Sequence, residues 1–185
     1  MIQRNVVTRT EWRWVIIWIS IALIITSLPY AIGLARSTPA KVFGGFVIAI
    51  EDGNSYLAKM NEGAHGAWLC HLPYTSEAHS DTLFYIFHLL LGKVSAIATL
   101  SPIVVYHLAR LICAALLLLV LYRFIAMFVV SRAARRIAFW LIVFSGGLGW
   151  LLILGGQANW LGSLPIDLIS PEAFTFLTIY AFPHI

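Results

Sequence analysis

From Ile103 to Val130 the chain is a long apolar run, and this run restricts the fold more than any other feature. About 20 apolar residues carry a helix across a bilayer core. In water, a helix that is apolar on every face must be buried on every face. A second run, from about Trp14 to Gly33, makes the same demand. Composition decides between the two solvents. Hydrophobic residues make up 61% of the 185 and charged residues 11%, with a mean hydropathy of +0.88. Soluble domains carry about 25% charged residues, so too little charge remains here to cover a water-facing surface. The expected fold is all-α, a polytopic transmembrane helical bundle forming one membrane domain over 1–185.

The first run follows Arg4, Arg9 and Arg13, which is also the order of parts in a signal peptide. It matches the roughly 20 residues of a span better than the 7–15 of a signal core, so it reads as a retained first helix at 14–33. Ser101-Pro102 supplies an N-cap and a proline at the first helical position for the long run, 103–130. A third span is expected at about 137–154, and a further one begins near Phe174. The chain stops at Ile185 within that last stretch, and is read as the N-terminal part of a longer protein.

Between the first two spans lies a loop, 34–100, too long for a simple connection. Its final part, 82–100, is largely apolar, and its less apolar positions include Asp81, Tyr85, His88, Gly92, Ser95 and Thr99. These alternate by four and three and form one stripe on a helix. Such a helix lies in the membrane interface or turns its stripe toward partners.

Arginines orient the bundle. Arg4, Arg9 and Arg13 precede the first span, while Arg132, Arg135 and Arg136 follow the long one. The positive-inside rule places both clusters in the cytoplasm. An even number of crossings must then separate them, so 82–100 is expected as an amphipathic juxtamembrane helix on the outer side. The expected location is the plasma (inner) membrane, multi-pass, with a cytoplasmic N-terminus and the lipid bilayer as principal partner. A net charge of +4 without a basic, aromatic-interleaved patch excludes nucleic-acid binding. Cys70 and Cys113 fall in a polar loop and an apolar run, so no disulfide or metal-type cysteine spacing is expected.

Most of the acids fall in the outer loops, and Glu51-Asp52 is the pair with the most chemistry in it. A carboxylate held near an apolar surface can act as a base, and two together can ligate a hard divalent cation. A solvated acidic loop, turning at Gly53-Asn54, is the plainer reading. The loop histidines His65, His71 and His79 have no standard ligand spacing. Arg110 stands two turns into the long span, one turn after Tyr106-His107. Charge inside a span marks a substrate path or a side chain snorkelling to the headgroups, and an arginine there can grip a phosphate. Ser145-Gly146-Gly147-Leu148-Gly149-Trp150 reads as close helix packing.

One span, then a long outer loop opening on an acidic pair, resembles the integral membrane glycosyltransferases of the C-type fold, which depend on polyprenyl-phosphate sugars. Glu51-Asp52 followed by Tyr56-Leu57 is similar to that family's acidic pair and nearby tyrosine. Tyr106-His107-Leu108-Ala109-Arg110 and Phe182-Pro183-His184 look like segments of its bacterial members. The resemblance covers the chain as the family's N-terminal part. It implies sugar transfer from a polyprenyl-phosphate donor to an extracytoplasmic acceptor, in service of the cell envelope. Asp52 would be the general base, and Glu51 would assist it or bind a divalent metal. Arg110, Tyr56, His107 and His184 would bind substrate. The alternatives are a transporter component, with Arg110 and His107 as intramembrane polar groups, and a non-catalytic membrane subunit.

Overall fold

The computed structural model describes residues 6–72, 75–157, 159–160 and 162–184. Among these the regular elements are helices, joined by loops that make only isolated bridges, Thr38 with Lys41 and Cys70 with Thr82. In chain order they are α1 (Arg9–Ala35), α2 (Ile50–Ala64), α3 (Ile86–Ala98), α4 (Pro102–Phe128), α5 (Arg132–Val143), α6 (Gly149–Leu154), α7 (Ile166–Ile169) and α8 (Thr175–Ala181), with a 3-10 turn at Pro171–Ala173. Cys70 and Cys113 are free thiols.

Two helices, α1 and α4, are long and apolar enough to cross a membrane. Each buries only 28% of its most apolar window. Along α4 the side chains of Ile112, Leu116, Val120, Phe124 and Met127 are exposed at helical spacing. The core helix of a soluble protein would hide that stripe; a lipid-facing helix has no reason to.

Local chemistry sets the ends of these helices. Thr8 and Glu11 form a reciprocal capping box: Thr8 N–H donates to Glu11 Oε2 at 3.0 Å and Glu11 N–H to Thr8 Oγ1 at 3.3 Å. This starts α1 a turn before the apolar run. The helix continues through Pro29 to Ala35. Ser101 caps α4, accepting from Val104 N–H at 3.4 Å, and Pro102 opens the helix as expected.

The chain divides into two compact units. The first takes residues 6–29 and 111–183. Its core joins Val15, Ile19 and Ala22 of α1 to Ala114, Leu118 and Tyr122 of α4, Phe139 and Val143 of α5 and Ile179 of α8. A buried ionic knot ties its helix ends. Glu11, 1% exposed, accepts from Tyr122 Oη at 3.1 Å and from Arg135 Nη1 at 3.1 Å. The start of α1, the end of α4 and the start of α5 are therefore held together around Glu11.

The run 137–154, expected as a single span, is not one helix. It ends as α5 at Val143 and resumes as the short α6 at Gly149. Gly147 takes a positive φ of 70°, which α-helix geometry does not admit. The stretch after Phe174 gives only α8.

The second unit takes residues 30–110 and His184. Here the loop 34–100 carries a helix that periodicity did not reveal, α2, and Gly53-Asn54 lies inside its first turn rather than in a bend. The amphipathic segment shortens to α3, because residues 82–85 are held outside the helix: Thr82 exchanges both backbone hydrogen bonds with Cys70, at 2.9 and 3.0 Å. At 1.5 Å per residue α3 reaches only about 20 Å, short of the ~30 Å of a hydrocarbon core. α2 and α3 cross with their backbones almost touching. A methyl group on Gly63 would strike the Leu89 carbonyl, and one on Gly92 the Met60 carbonyl. The stripe on α3 accordingly faces α2, with His88, Gly92 and Ser95 buried.

Candidate functional site

The site is built in the second unit, beginning with the first turn of α2. Glu51 and Asp52 occupy that turn and are exposed. The free N–H groups of a helix start favour carboxylates there. Tyr56 follows Asp52 by four residues and so stands beside it on the same face. Because Gly63 and Gly92 let α3 approach closely, the Tyr56 ring stacks on His88, with centroids 4.3 Å apart and planes within 6°. His184 meets both rings edge-on, at 4.8 Å from Tyr56 and 4.9 Å from His88.

His88 is 2% exposed. Among the described residues neither of its ring nitrogens has a hydrogen-bond partner. Burial, reinforced by His184, pushes its pKa down to about 4, so at neutral pH it is an uncharged imidazole. A buried polar group in this state retains unused donor and acceptor capacity.

α4 forms the other wall. Tyr106, His107 and Arg110 share a face, as their spacing predicts. Phe46 packs edge-on against Tyr106 at 5.2 Å. Arg110 is 1% exposed, with its guanidinium 4.8 Å from the centre of the Tyr30 ring. It does not snorkel. Its Nε–H donates to His107 Nδ1 at 3.3 Å, and His107 Nε2 lies 2.8 Å from the Gly45 carbonyl. A carbonyl can only accept, so Nε2 carries the proton and Nδ1 is free to accept from Arg110. The histidine thereby holds the arginine in place. The Tyr56 ring lies 6.4 Å from the Tyr106 ring, nearly parallel to it, and so joins the helix that carries Asp52 to this face of α4.

Of the residues singled out in the sequence, Asp52, Tyr56, His107, Arg110 and His184 thus enter one neighbourhood. Glu51 lies next to Asp52 in the first turn and is exposed. The remaining loop polar groups are engaged elsewhere. His71 Nδ1 pairs with Asp81 Oδ1 at 2.9 Å and its ring stacks on His79 at 4.7 Å. His65 Nδ1 contacts the Asn61 carbonyl at 2.8 Å. Lys59 is buried on α2 and donates to Glu62 Oε1 at 2.8 Å and to the His71 carbonyl at 2.6 Å. Burial alone would lower its pKa, but the interactions with Glu62 and Cys70 together outweigh this and hold the ammonium above its ordinary value. Asp167, in the first unit, is spent on the start of α6, accepting from Gly149 N–H at 3.0 Å.

Among the described residues no three His, Cys, Asp or Glu side chains converge as a metal site. A divalent ion on Glu51 and Asp52 would need the rest of its oxygen ligands from substrate or water. Sequence reasoning did not single out His88, Tyr30 or the Gly45 carbonyl as site groups. His88 was visible only as one member of the α3 stripe, and nothing in the sequence announces a pairing with Tyr30 or Gly45. Comparison of the chain with known protein families, with characterised proteins and with solved structures gives no match.

Proposed function

We propose that this chain is part of a plasma-membrane glycosyltransferase that moves a sugar from a polyprenyl phosphate to an acceptor outside the cytoplasm. In this reading α1 and α4 span the membrane. Both arginine clusters are cytoplasmic, and the 34–100 region is on the outer side. The observation that carries it is the packing of Tyr56, one turn after the exposed Asp52, against both the buried His88 imidazole at 4.3 Å and the Tyr106 ring at 6.4 Å, which joins the acidic start of α2 to the face of α4 that holds the buried Arg110.

Asp52 takes the proton from the acceptor hydroxyl as its oxygen attacks the anomeric carbon. The anomeric C–O bond to phosphate breaks, and the electron pair leaves with the phosphate. Arg110, oriented by His107, offsets the charge that develops there. Tyr56 and His184 give the sugar an aromatic surface, backed by the buried neutral imidazole of His88. Glu51 assists Asp52 or shares a divalent ion with it.

The test is Asp52→Asn in the protein as expressed from its own locus, in vesicles supplied with a labelled polyprenyl-phosphate sugar. Loss of the general base should cut transfer by about 10²–10⁴-fold. Undiminished turnover would remove Asp52 from the mechanism. The interrupted helix at 144–148 favours a transporter component as the second reading. Substrate flux without any covalent change to the sugar lipid would select it.

A further inference from the structure

The arginines that follow α4 do not all do the same work. Ser131 caps α5, its Oγ accepting from Ala134 N–H at 3.4 Å. Arg132, Arg136, Trp140 and Phe144 then recur every four residues and lie along one side of the helix. Arg135 is turned away from them into the core, where Nη1 meets Glu11 at 3.1 Å and Nε donates to the Val129 carbonyl at 2.6 Å. Glu11 is occupied by Thr8, Tyr122 and Arg135, and Arg132 Nε reaches it only at 3.7 Å with the arginine side chain 66% exposed. Arg136 is seated with its guanidinium 5.0 Å from the Trp14 ring centre. Its Nε is buried and has no partner among the described residues.

Two guanidiniums therefore stand one helical turn apart with the neighbouring carboxylate already used. The surface beside them is apolar. Trp140 stacks on Trp14 at 6.2 Å, and Ile137 and Leu141 are exposed. Past Trp140 opens a groove of about 490 Å³, lined by Leu141, Phe144, Leu148, Trp150 and Phe174. From Arg136 to Phe144 the helix rises roughly 12 Å at 1.5 Å per residue.

We propose that this side of α5 binds one anionic glycerophospholipid, its phosphate between Arg132 and Arg136 and an acyl chain passing Trp140 into the groove. Arginine forks match phosphate oxygens in pairs, and tryptophans sit where headgroup meets hydrocarbon. An inorganic anion would use the arginines but none of the apolar track. A lipid without a phosphate, such as diacylglycerol, would use the track and leave the two guanidiniums without an anion. Basic surfaces at the cytoplasmic end of spans attract anionic lipid in general; the seated guanidinium and the groove make this a defined site.

The inference rests on the membrane reading of α1 and α4 and is independent of sugar transfer. Flotation with phosphatidylcholine vesicles tests that premise first, and failure to insert would overturn both. The full chain in detergent is then titrated with phosphatidylglycerol, with diacylglycerol of the same acyl chains and with inorganic phosphate, and bound lipid is counted by native mass spectrometry. Phosphatidylglycerol should bind at least about tenfold more tightly than diacylglycerol, as one charge-assisted contact implies, and millimolar phosphate should not displace it. R132Q/R136Q should remove that preference, whereas Trp140→Ala should weaken both lipids alike. Equal binding of the two lipids by the unmutated chain would overturn the headgroup assignment. Full displacement by inorganic phosphate would overturn the lipid assignment. Neither comparison depends on a variant that folds.

Discussion

His88 is the residue whose behaviour departs furthest from its type. An imidazole ordinarily titrates near 6.5, but burial under Tyr56 and proximity to His184 bring this one down to about 4. The folded value lies below that of the free side chain, so between these limits the unfolded chain binds more protons than the folded one. Stability from this group is complete above about pH 6.5 and is lost as pH falls toward 4, a cost of about 3 kcal/mol for a shift of this size. The unfolding midpoint of the second unit should drop across that window. His88→Phe, which keeps the stacked ring and removes the titration, should flatten the dependence. A pH profile unchanged by the substitution would show that His88 does not carry it. Arg110 differs in kind: its type and its place in a span were readable, but only the fold shows that His107 rather than headgroup water receives its Nε–H.

At the scale of elements, the α2–α3 hairpin creates the site, because it lays Tyr56 flat on His88. Its contact depends on two positions where only hydrogen fits, Gly63 and Gly92. Gly92→Ala would force α3 away from the Met60 carbonyl, and backbone, unlike a long side chain, has no rotamer through which to yield. Overpacking of this kind costs about 1–3 kcal/mol. Thermal unfolding should show that loss, together with faster proteolysis of the 65–85 loop. Gly66→Ala, at a site with open space around it but a φ of +100°, separates backbone strain from crowding. No loss at Gly92→Ala would show that the crossing can open, since Gly92 has no positive φ to strain. The stripe on α3 was legible because periodicity records which face is buried. Its partner was not, since α2 is polar on average and its apolar positions Leu57, Met60 and Ala64 are scattered among the acids, Lys59 and Asn61 of a segment that reads as loop.

At the scale of the whole molecule, the first unit is assembled from chain segments far apart in sequence, and Glu11 joins them across 124 residues to Arg135. Removing one member of a buried ion pair leaves the other charged and uncompensated. Glu11→Ala should therefore cost about 3–5 kcal/mol, read as a fall in the unfolding midpoint in detergent. Glu11→Leu with Arg135→Met, which removes both charges, should cost less than Glu11→Ala alone. A larger loss in the double variant would mean that the knot stabilises by packing rather than by charge balance. The two apolar runs and the Ser101 cap were decided by the sequence by itself, because length, hydropathy and capping act within a few turns of one helix. The break at Gly147, the helix hidden in the outer loop and the meeting of Asp52, Tyr56, His88 and Arg110 were decided only by tertiary structure. Each depends on a partner distant in the chain: an aspartate against the start of α6, a carbonyl facing a glycine, a ring covering an imidazole.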